Sequence, residues 1–200
     1  MLQKRLFDII VSILVLTLFG PLLLLLAAYI IFSSGRPALY RGWRAGKAGV
    51  PFRIIKLRTM VANAENQGGA ETPSDDARIT SFGVHLRRYK LDEVPQFVNV
   101  LLGDMSIVGP RPEVLEETCQ YGSKEKELLS LRPGITDWAS IKFRHEDEML
   151  RGAADPHEAY HTLIQPEKIR LGLKYTHNRS MKIDLLIIAK TVSAVFSSKV

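Results

Sequence analysis

The sequence predicts a mostly α protein with minor β, an α+β fold: a kinked, re-entrant membrane-helix hairpin over residues 1–35, then a cytoplasmic, membrane-associated domain over 36–200 that carries interfacial amphipathic helices. Three observations predict it. Residues 9–35 carry no charge, and this run of 27 exceeds the roughly 20 needed to cross the hydrocarbon of a bilayer. Lys4 and Arg5 precede the run, while Arg36, Arg41, Arg44 and Lys47 follow it, so both flanks carry the excess of basic residues that marks a cytoplasmic face. Downstream, helices read over 81–89, from Asp92 to Leu102 and, with apolar residues at helical spacing, over 184–200, against one stretch that reads as strand.

The uncharged run is too long for the apolar core of a secretory signal peptide, about 7–15 residues. Gly20 and Pro21 stand at its centre, and proline removes a backbone donor and kinks a helix. A hairpin with both ends on one face fits these facts and puts everything after Gly35 in the cytoplasm. A single spanning helix is the alternative, since proline also occurs in ordinary spanning helices.

Residues 51–60 read as a strand on which Lys56 and Arg58, being alternate residues, project from one face. A loop rich in Gly, Glu, Asn, Pro and Ser follows over 63–76, then a helical stretch over 81–89. Asp92 with Pro95 three residues later suits a helix start, Asp92 as N-cap and Pro95 in the first turn, running to Leu102 and stopping at Gly103. Over 184–200, Leu185, Ile188, Ala189, Val192, Val195 and Phe196 recur at helical spacing, with Lys190, Ser193 and Lys199 elsewhere on the wheel. That pattern suits either a helix packed on the core or one lying in the membrane interface.

Composition narrows the partners. Apolar residues at 46% and charged residues at 24% exclude a disordered chain. The single cysteine, Cys119, excludes an internal disulfide framework and any site of several thiolates. The first sixty residues hold nine basic groups and one acid, Asp8, whereas the other 140 hold 18 basic and 20 acidic. Positive charge gathered at the membrane-facing end points to phospholipid head groups or a phosphorylated ligand.

The chemistry concentrates between Lys56 and Arg111. Asp92 and Glu93 are adjacent carboxylates, Arg87 and Arg88 lie just upstream, and Gly109-Pro110-Arg111-Pro112 is a rigid turn presenting an arginine. A diphosphate bound with Mg²⁺ requires this combination, because carboxylates hold the hard cation and guanidinium forks bind phosphate oxygens. Lys56 and Arg58 would add two further cations. Asp92 as a plain helix cap is the competing reading. His157 and His161 stand four apart, a metal-compatible spacing without an evident third ligand, and read as surface or packing histidines. The acidic run Glu146, Asp147, Glu148 reads as a solvated face, and Cys119 as packing.

In order along the chain stand the basic-flanked apolar segment, Lys56-Leu57-Arg58-Thr59-Met60, Asp76-Ala77-Arg78-Ile79-Thr80, Leu91-Asp92-Glu93-Val94-Pro95-Gln96, Gly103-Asp104-Met105-Ser106, Gly109-Pro110-Arg111-Pro112 and Arg132-Pro133-Gly134-Ile135-Thr136. Together they cover nearly the whole chain. The set resembles the bacterial sugar transferases, monotopic polyprenyl-phosphate phosphoglycosyl transferases, in their small form with little beyond the catalytic domain. The resemblance implies an enzyme on the cytoplasmic face of the bacterial inner membrane, among its phospholipids. It would transfer a phosphosugar from a UDP-sugar to undecaprenyl phosphate and release UMP, the first membrane step of glycan assembly. Nucleic acid is not an expected partner, and a homodimer is left open.

By resemblance, Asp92 is the nucleophile that takes the phosphosugar covalently, Glu93 the ligand of Mg²⁺ (or Mn²⁺), and Arg87 and Arg111 the functional arginines. Departures from the family pattern fall at Leu57 and Gly20, away from the chemistry, and at Asp137, Ser140, Lys142 and Phe143, on the side expected to meet the sugar. Two other readings compete: a membrane-anchored interaction module without catalysis, and a membrane nucleotide-sugar pyrophosphatase using water as acceptor.

Overall fold

The computed structural model describes residues 2–69 and 71–196, apart from the side chain of Phe196. Helix dominates and strands are few and short. The first helix, α1 (Leu2–Ser34), has 33 residues and so an axial length of about 50 Å. Its most apolar 18-residue window has a mean hydropathy of 2.9, with 6% of it buried within the protein. Leu14, Leu18, Leu24 and Phe32 all stand exposed, a surface that water does not tolerate and lipid does. Pro21 lies inside the helix, which stays helical on both sides of it.

Both ends of α1 are held by the same folded body. Near its start, Phe7 and Val11 pack on the main core, and the Asp8 carboxylate accepts from Ser106 Oγ at 2.8 Å and Ile107 N at 3.3 Å. Near its end, Ile30 is buried with Leu57 and Leu86, backed by Leu23, Leu26 and Ala27. The basic flank is equally occupied: Lys4 Nζ donates to Asp184 Oδ2 at 2.8 Å, and Arg5 donates to the carbonyls of Val100 and Leu101 at 2.6 and 3.0 Å.

The expected single strand over 51–60 is two short ones. β1 (Leu39–Tyr40) pairs antiparallel with β4 (Lys56–Leu57), and β2 (Trp43–Ala45) with β3 (Pro51–Arg53). Between β3 and β4 a side chain replaces the neighbouring strand: Ile55 N donates to Asn99 Oδ1 at 2.9 Å, and Asn99 Nδ2 donates to the Arg53 carbonyl at 2.8 Å. α2 (Ser81–Arg88) forms where the periodicity predicts it, with Thr80 Oγ1 capping Gly83 N at 3.0 Å. Gly83 is required there, since a Cβ would stand 2.0 Å from the Thr59 carbonyl oxygen.

The helix expected to begin at Asp92 begins later, as α3 (Gln96–Leu102), with Pro95 at its N-cap position and Gly103 closing it at φ 94°. Leu91–Glu93 form a separate 3₁₀ turn, entered through Lys90 at φ 55°. Pro95 has no N–H to continue the ladder, so turn and helix remain distinct. Asp92 therefore does not cap α3, which corrects the capping reading.

β5 (Ser106–Val108) and β6 (Gly134–Thr136) pair in parallel, Ser106 opposite Gly134 and Val108 opposite Thr136. Between them runs α4 (Leu115–Cys119), where Cys119 is exposed rather than packed. α5 (Trp138–Lys142), α6 (Glu146–Met149), α7 (Pro156–Ala159), α8 (Gln165–Asn178) and α9 (Met181–Phe196) complete the described chain. The main core joins Ile54, Val100, Met105, Val108, Tyr175 and Ile187. Ile183, Ile187 and Ile188 of α9 face that core while Leu185, Leu186 and Val192 stand exposed. Positions 197–200 of the expected terminal helix lie outside the described residues.

Candidate active site

Two tight backbone contacts position the arginine turn. Gly134 N donates to the Pro110 carbonyl at 2.8 Å and Gly109 N to the Thr136 carbonyl at 3.1 Å. A Cβ on Gly134 would sit 2.1 Å from Gly109 N, so only glycine allows the two chains to approach this closely. Arg111 is thereby presented from a braced β5–β6 edge toward the 3₁₀ turn that carries the carboxylates.

At that turn the structure brings together four of the predicted residues. Glu93 Oε1 receives Lys56 Nζ at 3.0 Å and Arg111 Nη2 at 3.3 Å. Burial opposes charge on Glu93, but Lys56, Arg111 and Lys90 outweigh it and hold the carboxyl well below the usual range. Glu93 in turn raises the Arg111 guanidinium further. Burial pulls the Lys56 ammonium below its usual range, with Glu93 opposing the fall.

Asp92, beside it, is 7% exposed, and its Oδ1 is buried without a hydrogen-bond partner. Burial, then the Glu93 charge, push its carboxyl above the usual range, against the pull of Lys56, Lys90 and Arg87. The adjacent cations therefore do not fully offset the penalty of charging Asp92. A buried carboxylate oxygen left without a partner inside a cationic frame is not used by the fold, which marks Asp92 as a candidate functional group.

The remaining predicted residues are placed differently. Arg87 Nε donates to Thr59 Oγ1 at 2.9 Å, and its charge lies among those of Asp92, Asp147 and Asp76. Arg58 faces the end of α1: its Nη2 donates to the carbonyls of Ser34 and Gly35 at 2.8 and 2.7 Å, where a cation also complements the helix dipole. The strand that carries Lys56 ends at Leu57, and Arg58 turns to α1 while Lys56 turns to Glu93.

Sequence reasoning missed Lys90, which acts on both carboxylates from a left-handed backbone position that nothing in its residue type announces. Such a conformation costs a non-glycine residue about 1–3 kcal/mol and persists where surroundings enforce it. It also left open a crevice behind Arg111 lined by Glu113, Tyr121, Asp137 and Lys168. Burial pushes the Glu113 and Asp137 carboxyls up, and Asp137 accepts from Ser140 N at 2.7 Å to cap α5. The Asp137 and Ser140 pair was visible as a departure from pattern, though not its capping role.

Fold and site together combine a long, exposed apolar helix suited to a membrane with buried carboxylates set among fixed cations. The sequence pattern of the bacterial sugar transferases matches residues 1–198, and the chain belongs to that family. It is similar to a UDP-glucose:undecaprenyl-phosphate glucose-1-phosphate transferase of Caulobacter vibrioides, 36% identical over 98% of this chain and 71% of that protein. It is 35% identical to the UDP-N-acetylgalactosamine-undecaprenyl-phosphate N-acetylgalactosaminephosphotransferase of Aeromonas hydrophila, over 97% of this chain and 44% of that one. The exopolysaccharide production protein ExoY of Sinorhizobium fredii is also 35% identical, over 99% of this chain and 87% of its own.

Proposed function

We propose that the protein transfers a phosphosugar from a UDP-sugar to undecaprenyl phosphate through a covalent intermediate on Asp92. The observation that carries this reading is the buried, unpartnered Asp92 Oδ1 beside the Lys56–Glu93–Arg111 cluster, in a chain of this family. An Asp92 oxygen attacks the sugar-bearing phosphorus; the bond from that phosphorus to the bridging oxygen breaks, and UMP leaves with that oxygen. The phosphate oxygen of undecaprenyl phosphate then attacks the same phosphorus, which frees the Asp92 carboxylate and yields a lipid-linked diphosphosugar. Arg111, Lys56 and Arg87 supply the fixed positive charge that draws in the diphosphate and stabilises the transferring group.

The donor set also fits a hard divalent cation. Carboxylate oxygens of Asp92 and Glu93 would hold Mg²⁺, as such ions are commonly held by one or two carboxylates together with substrate phosphates. Bound there, the ion would neutralise diphosphate charge. The membrane arrangement is read from α1: packing near both ends of the helix against one folded body favours keeping those ends on one side of the bilayer. This supports the re-entrant form over a crossing helix, with residues 36–200 on the cytoplasmic face.

The reading is tested by mixing the protein with UDP-glucose or UDP-N-acetylgalactosamine and Mg²⁺, without lipid acceptor. UMP release up to one equivalent, with a phosphosugar mass on the Asp92 peptide that undecaprenyl phosphate discharges, is the expected result. UMP appearing only once undecaprenyl phosphate is added would overturn the covalent route.

A further inference from the structure

The structure assigns a second, zinc-type metal site to Glu71, Glu117, His157 and His161, outside the catalytic cluster. One ligand atom from each of these four residues lies within 4.8 Å of all the others. They come from three separate parts of the chain: the loop before α2, α4, and the turn of helix from α7 through the π-helical residues Tyr160–Ile164. The two carboxylates are largely withdrawn from water, the Glu71 side chain being 9% and the Glu117 side chain 10% exposed. Such groups are rarely buried without a cation beside them.

The state of His161 points to a ligand. Gln165 Nε2 donates to Glu117 Oε2 at 2.8 Å, and a carboxylate only accepts, so Gln165 Oε1 is fixed as an acceptor. His161 Nδ1 lies 2.6 Å from that Oε1 and therefore carries its proton there. This leaves Nε2 facing Glu117 Oε1 at 3.3 Å, buried and without any hydrogen bond. A metal-bound histidine commonly has its other ring N–H held by an outer partner in this way, and Nε2 is the atom left to face an ion. The second pair has the same span, His157 Nδ1 to Glu71 Oε1 at 3.2 Å. Both match the edge of a tetrahedron around zinc, roughly 3.3 Å for bonds of 2.0–2.1 Å. The wider separations close by turning side chains, for which His157, 61% exposed, has room.

Two imidazoles with two carboxylates suit zinc, whereas the all-oxygen donors at Asp92 and Glu93 suit magnesium. The ion would act as a staple. Glu71 sits in a loop gathered around Arg78, which donates to the carbonyls of Ala64, Gly69 and Glu71. The same loop is tied to residue 147 by Ser74 N and carries Asp76, whose charge reaches Arg87. Fixing Glu71 to α4 and α7 would hold the wall of the active site beside Arg87.

The experiment titrates the untagged, full-length, metal-stripped protein with zinc sulfate in excess Mg²⁺, alongside the His157→Gln/His161→Gln double variant and Glu71→Gln. One zinc per chain is expected. The double variant should bind at least 100-fold more weakly, a loss no smaller than the about 10–100-fold that removal of an outer partner causes. Glu71→Gln, in a surface loop whose change leaves the core intact, should also weaken binding. Cobalt in place of zinc should give a tetrahedral visible spectrum that both variants lose, and zinc should slow proteolysis of residues 63–76 about tenfold in the wild type alone. No saturable zinc binding, or equal binding by wild type and double variant, would overturn the site; unchanged proteolysis would overturn the staple.

Discussion

Two buried acidic clusters lie at opposite ends of the same packing problem. At the start of α1, Asp8 and Asp184 are 3% and 2% exposed, and each is matched: Asp8 by Ser106 and Ile107, Asp184 by Lys4 at 2.8 Å and by the Tyr175 hydroxyl at 2.7 Å. Asp92 is buried to a similar degree and has an oxygen with no partner. Burial alone does not separate them; satisfaction does. A matched carboxylate holds structure together, and an unmatched one among cations costs stability, as the proposed role of Asp92 requires.

The largest test of that contrast is Asp92→Asn, checked by mass for deamidation. Transfer should fall by a factor on the order of 10⁴ or more. The fold should gain stability, by about 0.5–2 kcal/mol, as replacements at strained functional sites often do. The sign follows from the raised pKa of Asp92: its charged form burdens the fold at neutral pH, and the burden disappears as pH falls through the folded-state pKa. The gain should therefore shrink on acidification, measured as thermal midpoints in detergent across pH. Equal or lower stability of the variant at neutral pH would break the comparison.

Asp8→Ala should do the opposite. It strands two buried donors and should lower stability by about 2–5 kcal/mol, read from urea midpoints, while activity per folded molecule is kept. A smaller effect is expected for Arg111→Ala. Losing one charge-assisted bond, about 1.5–3 kcal/mol, should cut kcat/KM about 10–150-fold in a UMP-release assay, with Lys56 and Arg87 still in place. Smallest is the pH shift from Lys56→Met. Because Lys56 opposes the rise of the Asp92 pKa, its removal should move the acid limb of the kcat/KM profile to higher pH. A limb that moves lower would mean that Asp92 does not set it.

The helical elements were legible where local sequence governs them, as in α2 and the apolar α1, though the Thr80 cap of α2 was not foreseen. The dyad, the arginine turn and Lys56 were legible because adjacent charges in a short span have few structural uses. What escaped was set by contacts distant in sequence. Asn99 bonds across the break in the strand over 51–60, and Arg58 turns to the end of α1; no local pattern announces a side chain standing in for a strand. Lys4 and Arg5 read as a topology signal, whereas their partners lie 180 and about 95 residues away. The companions of His157 and His161 were invisible for the same reason, because Glu71 and Glu117 belong to other segments.

The pairing of Lys4 with Asp184 has a consequence in time. Protein is synthesised from its N terminus, so α1 meets the bilayer long before Asp184 exists, separated from Lys4 by 180 residues. Until then Lys4 has only the Asp8 carboxylate, four residues on at 3.8 Å, and its charge acts on the membrane, where basic residues resist translocation. Arg5 is taken up first, by the carbonyls of α3, and Lys4 only when α9 has been made and folds back to bring Asp184 to it. Lys4 and Arg5 would thus serve twice in the life of one molecule, first as an address during insertion and then as the latch that makes insertion permanent.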